Sequence, residues 1–386
     1  MEMSRRGFVG TAVMAAGAMM AGGAEGKRYR ACVIGDTNSG GYGHSLHKVF
    51  LGRQDVEMAA LADPDEKGRT KAAGEAKVAR TYADYREMLE KEKPDLVIIG
   101  PRWTIHHREY LLAAAACGAH GLMEKPVSTN LVEADEMVTA IEEKNLKWAI
   151  GFNFRATPII EFTKRAVFDE GIIGDVLEMR GRGKEDERAG GEDLVVLGTH
   201  IFDMMRYFVG NASWCMADIT VNGRGATRSD IHDATEPVGK VIGDRIHAMF
   251  GFKGGLVGHF ATAKNRDGNG GRWGIDIYGS KGIVTIRQDA GPRVRLWQQA
   301  SWDPEREIGW EPLPGAPGTE LANPDVDRYA PIVNDLIASI EQNRRPRVSL
   351  QDGRDSLEMV QAVYAAHFAG GRVELPLKER KHPLEV

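Results

Sequence analysis

The chain has 386 residues, enough for two domains, and its 42% hydrophobic and 27% charged content is that of an ordinary globular protein. A net charge of −5 gives no electrostatic footprint for nucleic acid. Three widely spaced cysteines form no CxxC pair, which argues against a zinc site or a redox dithiol; Cys32 and Cys117 lie in apolar stretches and read as buried small hydrophobes.

The first residues read as a transport signal. The run Ser4-Arg5-Arg6-Gly7-Phe8-Val9 carries paired arginines, and an apolar stretch rich in Ala, Gly and Met continues to Ala24. A basic head, an apolar middle and a small-residue exit predict a twin-arginine (Tat) signal over residues 1–24, with export to the periplasm or beyond the inner membrane. No later segment is apolar and long enough to span a bilayer, so no membrane contact is expected after signal removal.

The mature chain opens on a strand signal, Tyr29 to Ile34, then a glycine-rich turn from Gly35 to Gly43 and a helical stretch. Glu57 to Asp63 reads as a second strand ending in a carboxylate. Leu96-Val97-Ile98-Ile99 is wholly apolar, as suits a parallel strand buried on both faces. Gly121 to Glu124 is a further strand; an Asn130 cap precedes Leu131, Met137, Val138 and Ile141 at helical spacing, and Trp148-Ala149-Ile150 is a last strand. This alternation predicts a doubly wound parallel sheet of the Rossmann type over residues 25–150.

The pattern changes after Gly151. A helix is expected from Ile159 to Asp169, followed by strands with two-residue alternation: Ile246, Ala248 and Phe250 share one face, and turns fall at Gly254-Gly255 and Gly279-Ser280-Lys281-Gly282. Residues 151–386 therefore read as an α+β domain with a large, open, mostly antiparallel sheet. Its last helices, from about residue 325, are expected to pack back near the first domain.

Three groups of residues carry the chemistry. Gly35, Thr37 and Gly40 hold the spacing of GxGxxG with threonine in the middle place, and Asn38, Gly41 and Gly43 complete the turn. Small residues there let a pyrophosphate approach the backbone at a helix N-terminus, and Asp63 can bond both ribose hydroxyls. Pro64, Asp65 and Glu66 follow with no arginine for a 2′-phosphate, so NAD is favoured over NADP. Read on their own, the glycines are equally a surface turn and Asp63 a helix cap.

Glu124-Lys125-Pro126, directly after a strand of such a sheet, resembles the EKP signature of the Gfo/Idh/MocA family. Pro101, the turn from Glu170 to Asp175, the segment Leu197 to Asp203 and the ending Val373 to Pro376 extend the likeness over nearly the whole mature chain. The resemblance implies an NAD-dependent oxidoreductase acting on a sugar or polyol, assembled as a homodimer or homotetramer through the C-terminal sheet. Pro101, Glu124 and Lys125 would line the cofactor, with Lys125 beside the nicotinamide and on the substrate hydroxyl. His200 would accept the proton as hydride leaves, a task suited to histidine, while the lysine cation stabilises the alkoxide.

The sequence departs from the family in places. Where the family has an aspartate four residues before the histidine stands Val196; Asp193 is the displaced candidate, unless the substrate needs none. The turn before His44 and the segment from Pro101 to His106 are each one residue longer, so Trp103 and His106 either reshape the nicotinamide pocket or pack as loop. Asn153 and Arg155 are expected near substrate or cofactor, with a surface ion pair as the alternative for Arg155. The charge run Lys184 to Arg188 reads as a solvated loop, and no metal is expected: neither His44 with His47 nor His106 with His107 has zinc spacing. Three functions stay open: a sugar dehydrogenase with an exchangeable acceptor, a redox-neutral glycosidase or epimerase with held NAD, and a non-catalytic sensor.

Overall fold

The computed structural model describes residues 27–264, 272–288, 292–299 and 309–385; the expected signal over residues 1–24 lies outside them. Six parallel strands form the first sheet: β1 (Tyr29–Ile34), β2 (Val56–Ala62), β3 (Arg80–Tyr82), β4 (Leu96–Ile99), β5 (His120–Met123) and β6 (Trp148–Ile150). Their order, β3-β2-β1-β4-β5-β6, reverses direction beside β1, which opens a crevice at the strand ends where ligands of such sheets bind. The apolar runs explain the burial: all four residues of β4 are fully covered, as parallel strands with helices on both faces must be. Those helices are α1 (Glu66–Ala76), α2 (Tyr85–Glu92), α3 (His107–Ala116) and α4 (Leu131–Glu143), the last capped by Asn130, whose side chain accepts from the Glu133 N–H.

One expected helix is missing. Between β1 and β2 the described chain forms only two short 3-10 turns, Thr37–Ser39 and Leu46–Lys48. Gly40, Gly41, Gly43 and Ser45 all have positive φ, between 57° and 86°, and a right-handed helix cannot run through left-handed residues. The helix N-terminus expected to receive the pyrophosphate is therefore absent.

The second domain starts with α5 (Pro158–Lys164), which passes into a π-helical turn, Arg165–Asp169, at the end of the expected helix. Its mixed sheet contains β7 (Val176–Arg182), β8 (Trp214–Val221), the short β9 (Arg224–Gly225), β12 (Arg245–Gly251), β13 (Val257–Ala263), β14 (Gly274–Gly279), β15 (Gly282–Arg287), β16 (Arg293–Gln298), β17 (Glu311–Pro312) and β18 (Val373–Glu374). The pair β10 (His232–Asp233) and β11 (Lys240–Val241) stands apart. Among the described strands of the large sheet, only β7 and β13 run parallel. Ile246, Ala248 and Phe250 of β12 face the core, as their alternation predicts, and Gly254 and Gly255 turn the chain with φ of 77° and 82°. Against this inner face lie α6 (Gly191–Val196), α7 (Gly198–Val209) and α10 (Leu350–Ala369); α8 (Pro324–Asp327) and α9 (Ala330–Glu341) return toward the first domain. Cys32 and Cys215 are buried, whereas Cys117, at the end of α3, is exposed rather than covered as its apolar neighbours suggested.

Candidate active site

A cleft of about 1000 Å³ opens between the ends of the Rossmann strands and the second domain. Lys125 and Pro126 reach it from the end of β5, Asn153 and Phe154 from the segment after β6, and His200 from the first turn of α7. Residues remote in sequence thus meet because both domains end their elements here. Of the expected substrate residues, Asn153 and His200 line this cleft with Lys125.

Glu124 organises the floor. It is fully buried, with Oε1 against His44 Nδ1 and 3.3 Å from the His44 backbone N–H, and Oε2 accepting the Lys125 backbone N–H at 2.8 Å. A side chain on Gly43 or Gly151 would sit 2.6 and 2.8 Å from these oxygens, so the two glycines form the slot that holds the carboxylate. Burial alone would raise its pKa, but the His44 charge and hydrogen bond and then the Lys125 charge more than offset that and hold it at about 2. Lys125 Nζ donates to the Val196 carbonyl at 3.2 Å, so the residue replacing the family aspartate still contacts the lysine, through its backbone. Burial, set against the charges of Glu124 and Glu236, leaves the Lys125 ammonium with a lowered pKa.

His200 is enclosed by aromatic rings. Phe154, Phe152 and Trp273 lie 5.0, 5.6 and 5.8 Å from its ring centre. Its Nδ1 is buried and has no hydrogen-bond partner among the described residues. Burial, followed by the nearby positive charges of Lys125 and His44, pushes its pKa well below the ordinary imidazole value. No carboxylate among the described residues offsets this. Asp193 is not the displaced partner: it is fully buried, accepts the Lys184 and Glu185 backbone N–H groups at 3.0 and 3.1 Å, and takes the Thr262 hydroxyl at 2.5 Å. It pins the loop after β7, where a side chain at Gly183 would lie 2.0 Å from its Oδ2.

Three other expectations are corrected. Arg155 touches neither the cleft nor the surface. It is buried in an ion-pair network with Asp203 at 2.6 Å and Asp352 at 3.2 Å, and it also donates to the Arg347 carbonyl. Trp103 and His106 do not line the cleft. The Trp103 backbone N–H donates to the Ser39 carbonyl, bracing the glycine turn, and His106 packs toward Tyr110 and Glu109. The run Lys184 to Arg188 is no solvated loop: Glu185 is buried on Arg272, and Lys184 and Arg188 form cleft wall with Glu236. Sequence reading also missed His44, Arg102, Phe154 and Trp273 in the cleft, and His107, whose buried ring lies between the carbonyls of Pro101 (2.7 Å) and Val127 (3.1 Å) and as a neutral imidazole donates to one of them.

The residues fit a dinucleotide at the reacting end, where Lys125, Pro126 and Asn153 converge. The adenosine end is covered in this conformation. Asp63 has no exposed surface; its carboxylate accepts the Thr37 hydroxyl and the Tyr42 hydroxyl, both at 2.7 Å, together with the Thr37 and Asp65 backbone N–H groups. The Tyr42 ring lies on Gly35, 2.1 Å from where a β-carbon would stand. Thr37, in the place of the middle glycine, thus bonds inward, and ribose reaches Asp63 only when Thr37 and Tyr42 leave it. Asn38 is exposed, its backbone N–H on the Asp36 carboxylate.

Comparison with known proteins agrees with this architecture. Residues 29–152 match the family described as "Oxidoreductase family, NAD-binding Rossmann fold", and residues 169–375 match "Oxidoreductase family, C-terminal alpha/beta domain". Levoglucosan dehydrogenase of Pseudarthrobacter phenanthrenivorans is 26% identical over 61% of this chain and 66% of its own length. D-apiose dehydrogenase of Paraburkholderia graminis is 26% identical over 92% of each chain. The solved structure of levoglucosan dehydrogenase in complex with NADH and L-sorbose superposes with a TM-score of 0.72 at 21% identity, covering 91% of this chain and 99% of that one. Matched in both domains, the chain belongs to the Gfo/Idh/MocA oxidoreductase family and carries its NAD-binding Rossmann domain.

Proposed function

We propose that the protein oxidises a ring or chain hydroxyl of a carbohydrate or polyol with NAD. The observation that carries this reading is the meeting of Lys125 with two imidazoles, His44 and His200, in one cleft of about 1000 Å³, which has room for a sugar beside the reacting end of a dinucleotide. NAD supplies the hydride acceptor when bound. The chain's own part is to position the hydroxyl on Lys125, whose ammonium stabilises the developing alkoxide, and to accept its proton. Asn153 offers an amide for a neighbouring hydroxyl, and Phe154 and Trp273 offer apolar faces for a sugar ring. The test is a panel of levoglucosan, D-apiose and myo-inositol with added NAD, followed by reduced-nicotinamide absorbance. No absorbance with any member, and no NADH bound by fluorescence titration, would remove the reading.

The twin-arginine run favours a second form of the same chemistry. Tat transport carries folded proteins, so a cofactor bound in the cytoplasm would travel inside, where free NAD is not replenished. Oxidation of one hydroxyl, elimination or inversion at the acidified neighbouring carbon, and return of the hydride would then turn over without net redox change. Many turnovers of a glycoside with no added cofactor and no oxidised sugar support this form; a single turnover sinks it. The outer face of the large sheet, where Met216 is exposed, is the surface we assign to a homodimer or homotetramer.

A further inference from the structure

We propose that Glu236 binds the substrate hydroxyl next to the one that is oxidised, and so supplies from another loop the carboxylate that the chain lacks at Val196. The proposal deepens the carbohydrate reading above and rests on it.

A carboxylate that selects a sugar hydroxyl needs a place on the cleft wall beside the reacting group, an oxygen left free, and a support that keeps it still. Glu236 has all three. It lines the cleft from the loop between β10 and β11, with its side chain 17% exposed. Its charge acts on the Lys125 ammonium, opposing with that of Glu124 the effect of burial, yet no direct ion pair joins the two. A substrate hydroxyl on Lys125 thus has a second carboxylate within reach of its neighbour. Arg188 Nη1 donates to Glu236 Oε1 at 2.8 Å, and Oε2 accepts no hydrogen bond among the described residues.

The support is built in two layers. Arg188 spends Nε and Nη2 on Asp186, at 3.2 and 2.6 Å, which aims its remaining nitrogen at Glu236. From behind, the buried Glu192 accepts the Thr235 N–H at 2.9 Å, the Thr235 hydroxyl at 2.6 Å and the Glu236 N–H at 3.0 Å. Burying a carboxylate to hold one short loop is costly, and a turn that only links two strands does not require it. Glu192 stands in the first turn of α6, and that helix ends at Val196, whose carbonyl takes the Lys125 ammonium. One helix therefore sets both Lys125 and Glu236.

The other acids near the cleft are engaged or unsupported. Glu124 gives its two oxygens to His44 and to the Lys125 backbone N–H. Asp193 is enclosed by the Lys184 and Glu185 N–H groups and Thr262. Asp327 turns back on the Asn323 N–H at 2.7 Å. Glu320 is exposed, and no hydrogen bond among the described residues holds it. The preferred substrate is accordingly a polyol with two adjacent hydroxyls, one on Lys125 and one on Glu236; no covalent bond is made or broken at Glu236.

The test uses the panel sugar that the unmodified protein oxidises, with two monodeoxy analogues that each lack one hydroxyl beside the oxidised carbon. On the parent sugar, kcat/KM of Glu236→Ala should fall about 10- to 100-fold, as expected for a hydrogen bond to a charged group, and Glu236→Gln, which keeps an acceptor oxygen, should fall less. On one analogue the unmodified protein should lose a similar factor, and Glu236→Ala should lose nothing further. An equal fold-loss on the parent and both analogues, or no loss on the parent, overturns the proposal, because a merely structural ion pair with Arg188 would lower all three alike. Should Glu236→Ala fail to fold, Glu236→Gln carries the same comparison. If no panel sugar is oxidised, the oxidation reading falls, and levoglucosan, D-apiose and myo-inositol are titrated by calorimetry into the NADH-loaded protein. Weaker binding to the Glu236 variant then upholds the proposal; equal binding, or none to either protein, overturns it.

Discussion

Replacing Glu124 with glutamine removes one charge from the interior at almost constant volume. The carboxyl is fully buried and holds a pKa of about 2, against an ordinary 4.5, because His44 and Lys125 more than offset the cost of burial. A carboxyl depressed in the folded state stabilises the fold while it is ionised. That stabilisation is complete above about pH 4.5 and is lost as pH falls through about 2. At about 1.4 kcal/mol per pH unit the difference amounts to about 3 kcal/mol. Glu124→Gln should therefore unfold about 3 kcal/mol more easily at neutral pH, a urea midpoint lower by roughly 1.5 M if the slope is about 2 kcal/mol per molar. The assay is urea unfolding of both proteins, followed by circular dichroism, at about pH 7, 4 and 2.5. The gap between the two curves should narrow as the pH drops, to about a quarter of its neutral value at about pH 2.5. A gap of the same size at every pH would refute the reasoning, because the loss would then come from packing and not from ionisation.

Two further outcomes follow from the site. Tyr42→Phe removes a hydroxyl that competes for Asp63, so NADH should bind about 10-fold more tightly by fluorescence titration, a hydrogen bond to a charged group being worth about 1.5 kcal/mol or more; the gain should vanish when Asp63→Ala is added. Asp193→Asn should cost about 1–3 kcal/mol in urea unfolding by weakening the loop after β7, while turnover of the folded fraction stays normal, which a catalytic carboxylate could not show.

What could be read in the sequence was what is decided locally. The apolar run Leu96–Ile99 and the alternation around Ile246 set strand and burial by themselves, and Lys125 and His200 were found because their neighbours form a motif. The missing helix after β1 was hidden in backbone angles. Glycines at 40, 41 and 43 are compatible with a nucleotide turn by residue type, and it is the left-handed angles they adopt together with Ser45 that make a helix impossible. Charged side chains were hardest, because their direction depends on partners far along the chain. Arg155 turns inward for Asp352, and Asp193 for Thr262. His44 had a signal that could have been used: a buried glutamate beside a strand end needs a donor, and the long glycine turn supplies one.

The helix α10 bears on how a substrate is chosen. It packs on α4 and β6 of the first domain and on α7 and β8 of the second, and its N-terminal Ser349 bridges Ala149. Gln361 donates to the Thr129 carbonyl on one side, and Asp352 pairs with Arg206 on the other. A shared beam of this kind prevents the two halves from swinging apart about the segment after β6. Selection must therefore come from a mouth of set width, which admits or rejects a sugar by its outline before any contact is tightened. Variants that discriminate between sugars should then map to the short loops on the rim, and not to any hinge.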